Sequence, residues 1–243
     1  CDFLSLDLSD EITKNHGHTD IVIAANVICH IPEINSIFES VEKILSKNGV
    51  FVFEEPYLGD VYKFGTFDQI YDEHVFLFSL HSIKKIVEKF NLEIFDAKKI
   101  NTHGGSMRYY ICRKNVYNKT SNYQNLFEEE ATFGLNNMKN FRLFYTNCLK
   151  FKKDFKDKIV SLKKNNKICA YAATSKSTTL LNFCDIDNSI IDYIFDSTDE
   201  KQGVFSPGMH IPILDAKKFL ELNYDISLLL AYNHSTEIKN KEK

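Results

Sequence analysis

The segment "FDQIYDEHVFLFSLHSI", residues 67 to 83, sets Tyr71, Asp72, Glu73 and His74 side by side, directly ahead of a run of large apolar side chains. An imidazole has a reference pKa of about 6.5 and takes up a proton near neutral pH, so His74 reads as a general base with acidic neighbours. Immediately downstream, "SLHSIKKIVEKF" spaces Leu80, Ile83, Ile86, Val87 and Phe90 three to four residues apart, the pattern of an amphipathic helix with Ser79 as its N-cap. The cluster therefore belongs in a loop held by a rigid element, where side chains can project into a cleft. A capped, solvent-facing lead-in to the helix is the plainer alternative.

The surrounding pattern is α/β. "TDIVIAANVICHIPE" predicts a buried parallel strand ending at Asn26 with a loop after it, and in isolation His30 in that loop reads as a structural histidine. "EINSIFESVEKILSKNG" predicts an amphipathic helix closed by Gly49, and "VFVFEEPY" a strand stopped by Pro56, which together make a βαβ unit. "LEIFDAKKI" and "SMRYYICRK" read as an antiparallel pair joined by "NTHGG", with His103 shaping the turn and Gly104 and Gly105 supplying positive φ. Residues 117 to 167 predict one or two connecting helices, marked by Leu143, Phe144, Cys148, Phe151 and Phe155. From Lys167 a second α/β pattern begins. "KICAYAATSKSTTLLNFC" is a strand, a turn and a helix; "IIDYIFDSTDE" is a strand tipped by Asp196, Ser197 and Thr198; "AKKFLELN" is a helix; "YDISLLLAYNH" is a strand ending at Asn233 and His234. Polar strand tips on parallel strands form a ligand crevice in open α/β sheets. The turn "AATSKSTT" can offer backbone N–H groups and Lys176 to a phosphate, although it lacks the glycines of a dinucleotide fingerprint, and Lys176 reads equally well as a surface lysine.

Composition excludes several functions. The 243 residues are 44% hydrophobic and 26% charged, with a net charge of −3, as in an ordinary globular protein, and the scattered basic residues argue against nucleic acid as a partner. Lysines between positions 150 and 167 alternate with apolar residues as on a solvated helix face. No apolar run approaches the roughly 20 residues that span a bilayer, and the first residues lack the basic and apolar regions of a signal peptide, so a cytoplasmic location is expected. Cys1, Cys29, Cys112, Cys148, Cys169 and Cys184 lie far apart with no C-x-x-C pair, which reads as free thiols and no metal site.

The blocks "ANVICHIPE", "FDQIYDEHVFLFS", "THGGSMRYY", "YAATSKSTTLLNFC" and "KQGVFSPGMHIPI" follow one another as in the S-adenosylmethionine-dependent sugar C-methyltransferases, which act on nucleotide-linked 4-keto-deoxysugars, and the chain resembles that family over nearly its whole length. The resemblance implies a partial class I, Rossmann-like methyltransferase domain at residues 1–115, ending in the antiparallel pair. Connecting helices follow at 116–166, then a second Rossmann-like domain at 167–243 that binds the sugar nucleotide. It implies S-adenosylmethionine as cofactor, with zinc confined to an N-terminal domain that this sequence lacks along with the glycine-rich cofactor loop, so the chain reads as a fragment cut at both ends. The implied partner is a nucleotide sugar, carried on thymidine diphosphate, and a monomer is expected.

Methylating carbon requires a carbanion, which a ketone supplies when its neighbouring carbon loses a proton. His74 is the expected base. By resemblance Glu73 belongs to the same site, orienting the imidazole or hydrogen-bonding the sugar, while Asp72 stays solvated. Tyr71 or His30 would stabilise the enolate oxygen. The resemblance also places Asn26 against the cofactor, His103, Ser106 and Arg108 near the substrate, and Lys176 on the nucleotide phosphates. Where relatives tend to carry "YGAPAKG" this chain has "YAATSKS", so Ala172 and Ser177 replace glycines, and the hydroxyls of Thr174, Ser175 and Ser177 are the remaining phosphate donors. Two rival readings are a non-catalytic sugar-nucleotide-binding module and an O-methyltransferase.

Overall fold

The computed structural model describes residues 2–102 and 104–241, so the turn residue His103 lies outside the described residues. The chain divides into two compact units, Cys1–Phe64 with Asp72–Arg142, and Gly65–Tyr71 with Leu143–Lys243.

The first unit runs α1 (Leu6–His16), β1 (Thr19–Ala25), α2 (Ile34–Ile44), β2 (Leu45–Pro56), α3 (Leu58–Phe64), α4 (Leu80–Val87), β3 (Leu92–Ile100), β4 (Ser106–Arg113) and α5 (Ser121–Phe133). Its sheet has the order β1-β2-β4-β3. β1 and β2 are parallel, and β4 runs antiparallel to both β2 and β3, as the sequence predicts for a βαβ unit ending in an antiparallel pair. Period-two alternation puts Phe51 and Phe53 of β2 on the core face. There Phe53 stacks on Tyr109 at 4.6 Å between ring centroids and meets Phe38 and Phe78 edge-on at 6.0 and 6.3 Å. Such aromatic pairs add about 0.5–1.5 kcal/mol each beyond the area they bury.

α4 is the element that carries the candidate loop. Its Leu80, Ile83 and Val87 are buried as the spacing predicts, and Ser79 caps it in a reciprocal capping box with Ser82. A second cap is invisible in the local sequence. Glu130 of α5, fully buried, accepts hydrogen bonds from the Leu80 and His81 backbone N–H groups at 2.6 and 3.1 Å and from His81 Nδ1 at 2.8 Å. A negative charge at a helix N-terminus satisfies orphan donors and opposes the helix dipole, which is what lets a carboxylate sit inside this core.

Three expectations need correcting here. α2 stops at Ile44 rather than at Gly49, because Leu45 is already extended and pairs with Thr19, so strand pairing displaces the last helical turn. Gly49 instead lies in β2, where a Cβ would come within 2.9 Å of the Thr19 carbonyl oxygen. β1 is parallel but not buried on both faces: Ile21 and Ile23 are 61% and 74% exposed, since an apolar run does not reveal which of a strand's two faces is covered. α1 has no counterpart among the elements expected from the sequence, although Ser5 caps it and Gly17 closes it at φ 78°.

The second unit is built on α6 (Met138–Lys163), which begins within the first, followed by β5 (Ile168–Tyr171), α7 (Ser175–Phe183), β6 (Ile194–Asp196), β7 (Ile213–Asp215), β8 (Ile226–Leu229) and α8 (Ser235–Lys241). The sheet β7-β6-β5-β8 is all parallel, as a Rossmann-like domain requires. "AKKFLELN" forms only a 3₁₀ turn at Ala216–Lys218, and the edge strand β7 lies where the sequence shows no strand pattern. Ala172 is held at φ 79° with its N–H donating to the Phe195 carbonyl at 2.7 Å.

Two stability outcomes follow from these contacts. Glu130→Ala leaves two buried N–H groups without an acceptor and lowers stability by about 2–3 kcal/mol, read as a shift in the urea midpoint; a change below about 1 kcal/mol would mean that water replaces the cap. Ala172→Gly removes a left-handed penalty of about 1–2 kcal/mol at an entropic cost of about 0.5–1 kcal/mol, so the variant gains up to about 1 kcal/mol. A lower midpoint for Ala172→Gly would show that the alanine is unstrained.

Candidate active site

The site grows from the carboxyl end of β1. Asn26 takes a left-handed conformation, φ 51°, that asparagine tolerates, and its N–H donates to the Glu54 carbonyl at 2.9 Å. The chain then turns through Val27 into a 3₁₀ turn, Ile28–His30. Glu55, at the end of β2 and fully buried, fastens this turn: its Oε1 accepts from the N–H groups of Val27 at 3.0 Å and Ile28 at 2.6 Å. The Cys29 carbonyl accepts from Phe76 N–H at 3.2 Å, docking the loop that carries His74. His30 Nδ1 lies 2.7 Å from the Glu73 carbonyl oxygen. A carbonyl only accepts, so Nδ1 bears the proton and, in the neutral ring, Nε2 keeps its lone pair. The His30 and His74 rings approach to 5.1 Å between centroids, tilted by 52°.

Cys29, which the sequence alone presents as an inert thiol, belongs to the same cluster. One ligand-type atom from each of Cys29, His30 and His74 lies within 4.8 Å of the others. Burial first, and then the Glu55 carboxylate beside it, push the Cys29 thiol up. Glu55 Oε2 is buried with no partner within hydrogen-bond geometry among the described residues.

The other expected residues separate. Asp72 is exposed, and so is the Glu73 side chain, leaving Glu73 to act on His30 through its main chain. Tyr71 falls in the second unit and is half-buried. Ser106 is fully buried and its hydroxyl donates to the Thr102 carbonyl at 3.1 Å, so it closes the β3–β4 connection and presents nothing to a ligand. Arg108 pairs with Glu54, its cross-strand neighbour, at 2.8 Å. A groove of about 680 Å³ runs beside β1 and α2, lined by Ile23, Val27, Ile31 and Ile37, with His30 and Glu33 among its polar groups.

In the second unit Lys176 sits in the first turn of α7, half-buried rather than on the surface. Burial lowers its pKa, opposed by the charge of Asp68; burial likewise raises Asp68, opposed first by Lys176. Tyr232 donates to Asp68 Oδ1 at 3.4 Å. The hydroxyls expected as phosphate donors are partly engaged: Thr174 and Ser177 form the α7 capping box. The crevice expected at the strand tips is present. It measures about 300 Å³ and gathers Tyr171, Thr174, Asp196, Thr198, Lys201 and His234. Lys201, which the sequence does not single out, donates to the Ala173 carbonyl at 2.7 Å.

Residues 3–97 match the family described as "Methyltransferase domain" and residues 101–243 the family described as "C-methyltransferase C-terminal domain". The C-methyltransferase NovU of Streptomyces niveus is 28% identical over 239 residues, covering 98% of this chain, and the chain spans 57% of the length of NovU. Among solved structures, a SAM-dependent methyltransferase from Anabaena variabilis ATCC 29413 aligns with a TM-score of 0.37 and 15% identity over 47% of this chain and 57% of that one. Magnesium protoporphyrin IX methyltransferase from Synechocystis PCC 6803 aligns with a TM-score of 0.33 and 15% identity over 42% of this chain and 48% of that one. With both halves of its α/β pattern matched, and the C-terminal family alone covering more than half of its length, the chain belongs to the C-methyltransferase family.

Proposed function

We propose that the chain carries the base and sugar-binding parts of an enzyme that methylates a carbon of a nucleotide-linked 4-keto-deoxysugar through an enolate. The observation that supports this most is the pair of imidazoles, His30 and His74, set 5.1 Å apart on docked loops in a chain of the C-methyltransferase family. His74 removes the proton from the carbon beside the ketone, and a positioned base of this kind contributes about 10²–10⁴-fold in rate. The enolate oxygen then needs a donor. Tyr71 offers a phenolic O–H. His30 has its Nδ1 proton on Glu73, so it donates through Nε2 only as the imidazolium. Exclusion of water and alignment of the carbanion complete the requirement.

S-adenosylmethionine, when bound, supplies the electrophilic methyl group. The apolar groove beside β1 has the volume of a small-molecule site and a few polar groups on its wall, which fits an adenosyl ligand, and Asn26 stands at the strand tip as the residue that would contact it. Lys176 is the proposed contact for the nucleotide phosphates, and the strand-tip crevice of the second unit is the place for the nucleotide.

Proton NMR in D₂O of a thymidine-diphosphate 4-keto-6-deoxysugar tests the base directly, because enolisation precedes methyl transfer. Deuterium enters next to the ketone at least about 10²-fold faster with the chain than without protein, and the gain disappears in His74→Ala. Exchange at the protein-free rate would remove the enolate mechanism from this chain and leave sugar-nucleotide binding or O-methylation. Lys176→Ala weakens thymidine diphosphate binding about tenfold or more by calorimetry, the loss of one charge-assisted contact; an unchanged Kd would move the phosphates elsewhere.

A further inference from the structure

We propose that Cys29, His30 and His74 form a site for one thiophilic divalent cation of the zinc type, with a fourth position open to water. The site itself goes beyond the methyltransferase reading and does not depend on it; only its inhibitory consequence rests on His74 being the base. The geometry carries it. The three donor atoms lie within 4.8 Å of one another, a separation that small side-chain rotations draw in to the roughly 3.3–3.8 Å between ligands of a tetrahedral zinc ion, and they form a mixed sulfur and nitrogen set that suits zinc rather than calcium or magnesium. His30 is already arranged as metal-binding histidines are, with Nδ1–H fixed on the Glu73 carbonyl and Nε2 left for the ion.

A second observation points the same way. Glu55 is buried beside Cys29, its Oε2 has no partner within hydrogen-bond geometry among the described residues, and Arg108 is paired to Glu54 instead. A buried carboxylate without a countercharge is costly. A cation held by the three donors would lie beside this buried carboxyl oxygen. On binding, the Cys29 S–H bond breaks, its proton leaves to solvent, and the sulfur electron pair passes to the metal; no electron is transferred. The same event ties up the His74 lone pair, so metal binding and proton abstraction by His74 exclude one another, and zinc acts on this chain as an inhibitor.

Cobalt(II) titration of the full chain under a non-coordinating reductant reads the site without any activity assay. One equivalent of cobalt produces a near-ultraviolet thiolate-to-cobalt charge-transfer band together with tetrahedral visible bands, and zinc displaces both. The charge-transfer band is lost in Cys29→Ser, and cobalt affinity falls at least about tenfold in His30→Gln and in His74→Gln. Because Cys29 is fully buried, circular dichroism accompanies its variant, and the variants of the two half-exposed histidines decide the matter if Cys29→Ser does not fold. Absence of the band in the wild-type chain overturns the proposal. So does a band that survives in Cys29→Ser, or affinity that persists in both histidine variants and falls instead in His16→Gln/His18→Gln. Slow deuterium exchange on the sugar, by contrast, would leave a cobalt band untouched.

Discussion

The buried carboxylate of Glu55 is the interaction on which the candidate site depends. Taking an ionised group out of water costs several kcal/mol unless hydrogen bonds replace the lost solvent. Here the replacement is two backbone N–H groups at the turn after β1, Val27 and Ile28. The exchange fixes the path of the next residues, so Cys29 points inward and His30 faces the loop that follows. That loop is fastened in turn by Phe76 N–H on the Cys29 carbonyl and by His30 on the Glu73 carbonyl. Three side chains from two distant segments are thus brought together by hydrogen bonds to main-chain groups.

Glu130 repeats the same physics at the other end of the loop. Its carboxylate holds the first turn of α4, and the Ser79 and Ser82 capping box adds a local constraint. The loop carrying His74 is therefore docked on the turn that Glu55 holds and runs into the helix start that Glu130 holds. Neither acid stands out in the sequence, where each reads as one more charged residue. The carboxylate singled out there, Glu73, keeps its side chain in solvent and works through its carbonyl oxygen. Which acid is useful depends on which is desolvated, and desolvation is a property of packing.

In the second unit, polar residues that suggest phosphate recognition have partners of their own. Thr174 and Ser177 satisfy the start of α7, Lys176 faces Asp68, and Asp196 accepts from the N–H groups of Ala173 and Thr198. The residues between β5 and α7 form a tight turn in which Ala172 takes a positive φ. Hydroxyls here stabilise the turn first, and Lys201 on the crevice wall is a further cation able to meet a ligand's charge in addition to its present contacts.

Periodicity and turn chemistry in the sequence alone determined the class of fold, the βαβ unit with its antiparallel end pair, the helix after His74 with its Ser79 cap, and the second parallel sheet. These are encoded by neighbours three or four residues apart in a helix and two apart in a strand, so local sequence contains them. Ordered motif blocks also identified the family and the loop carrying His74. Tertiary structure alone decided that Ser106 is a core residue, that Arg108 answers Glu54, that one face of β1 is open, and that Cys29 joins two histidines. Each of these depends on groups separated by tens of residues, such as Cys29 and His74 or Arg108 and Glu54, brought together by sheet register and loop docking. A spacing rule that looks for paired cysteines misses such a cluster, because its ligands are neighbours only after the chain has folded.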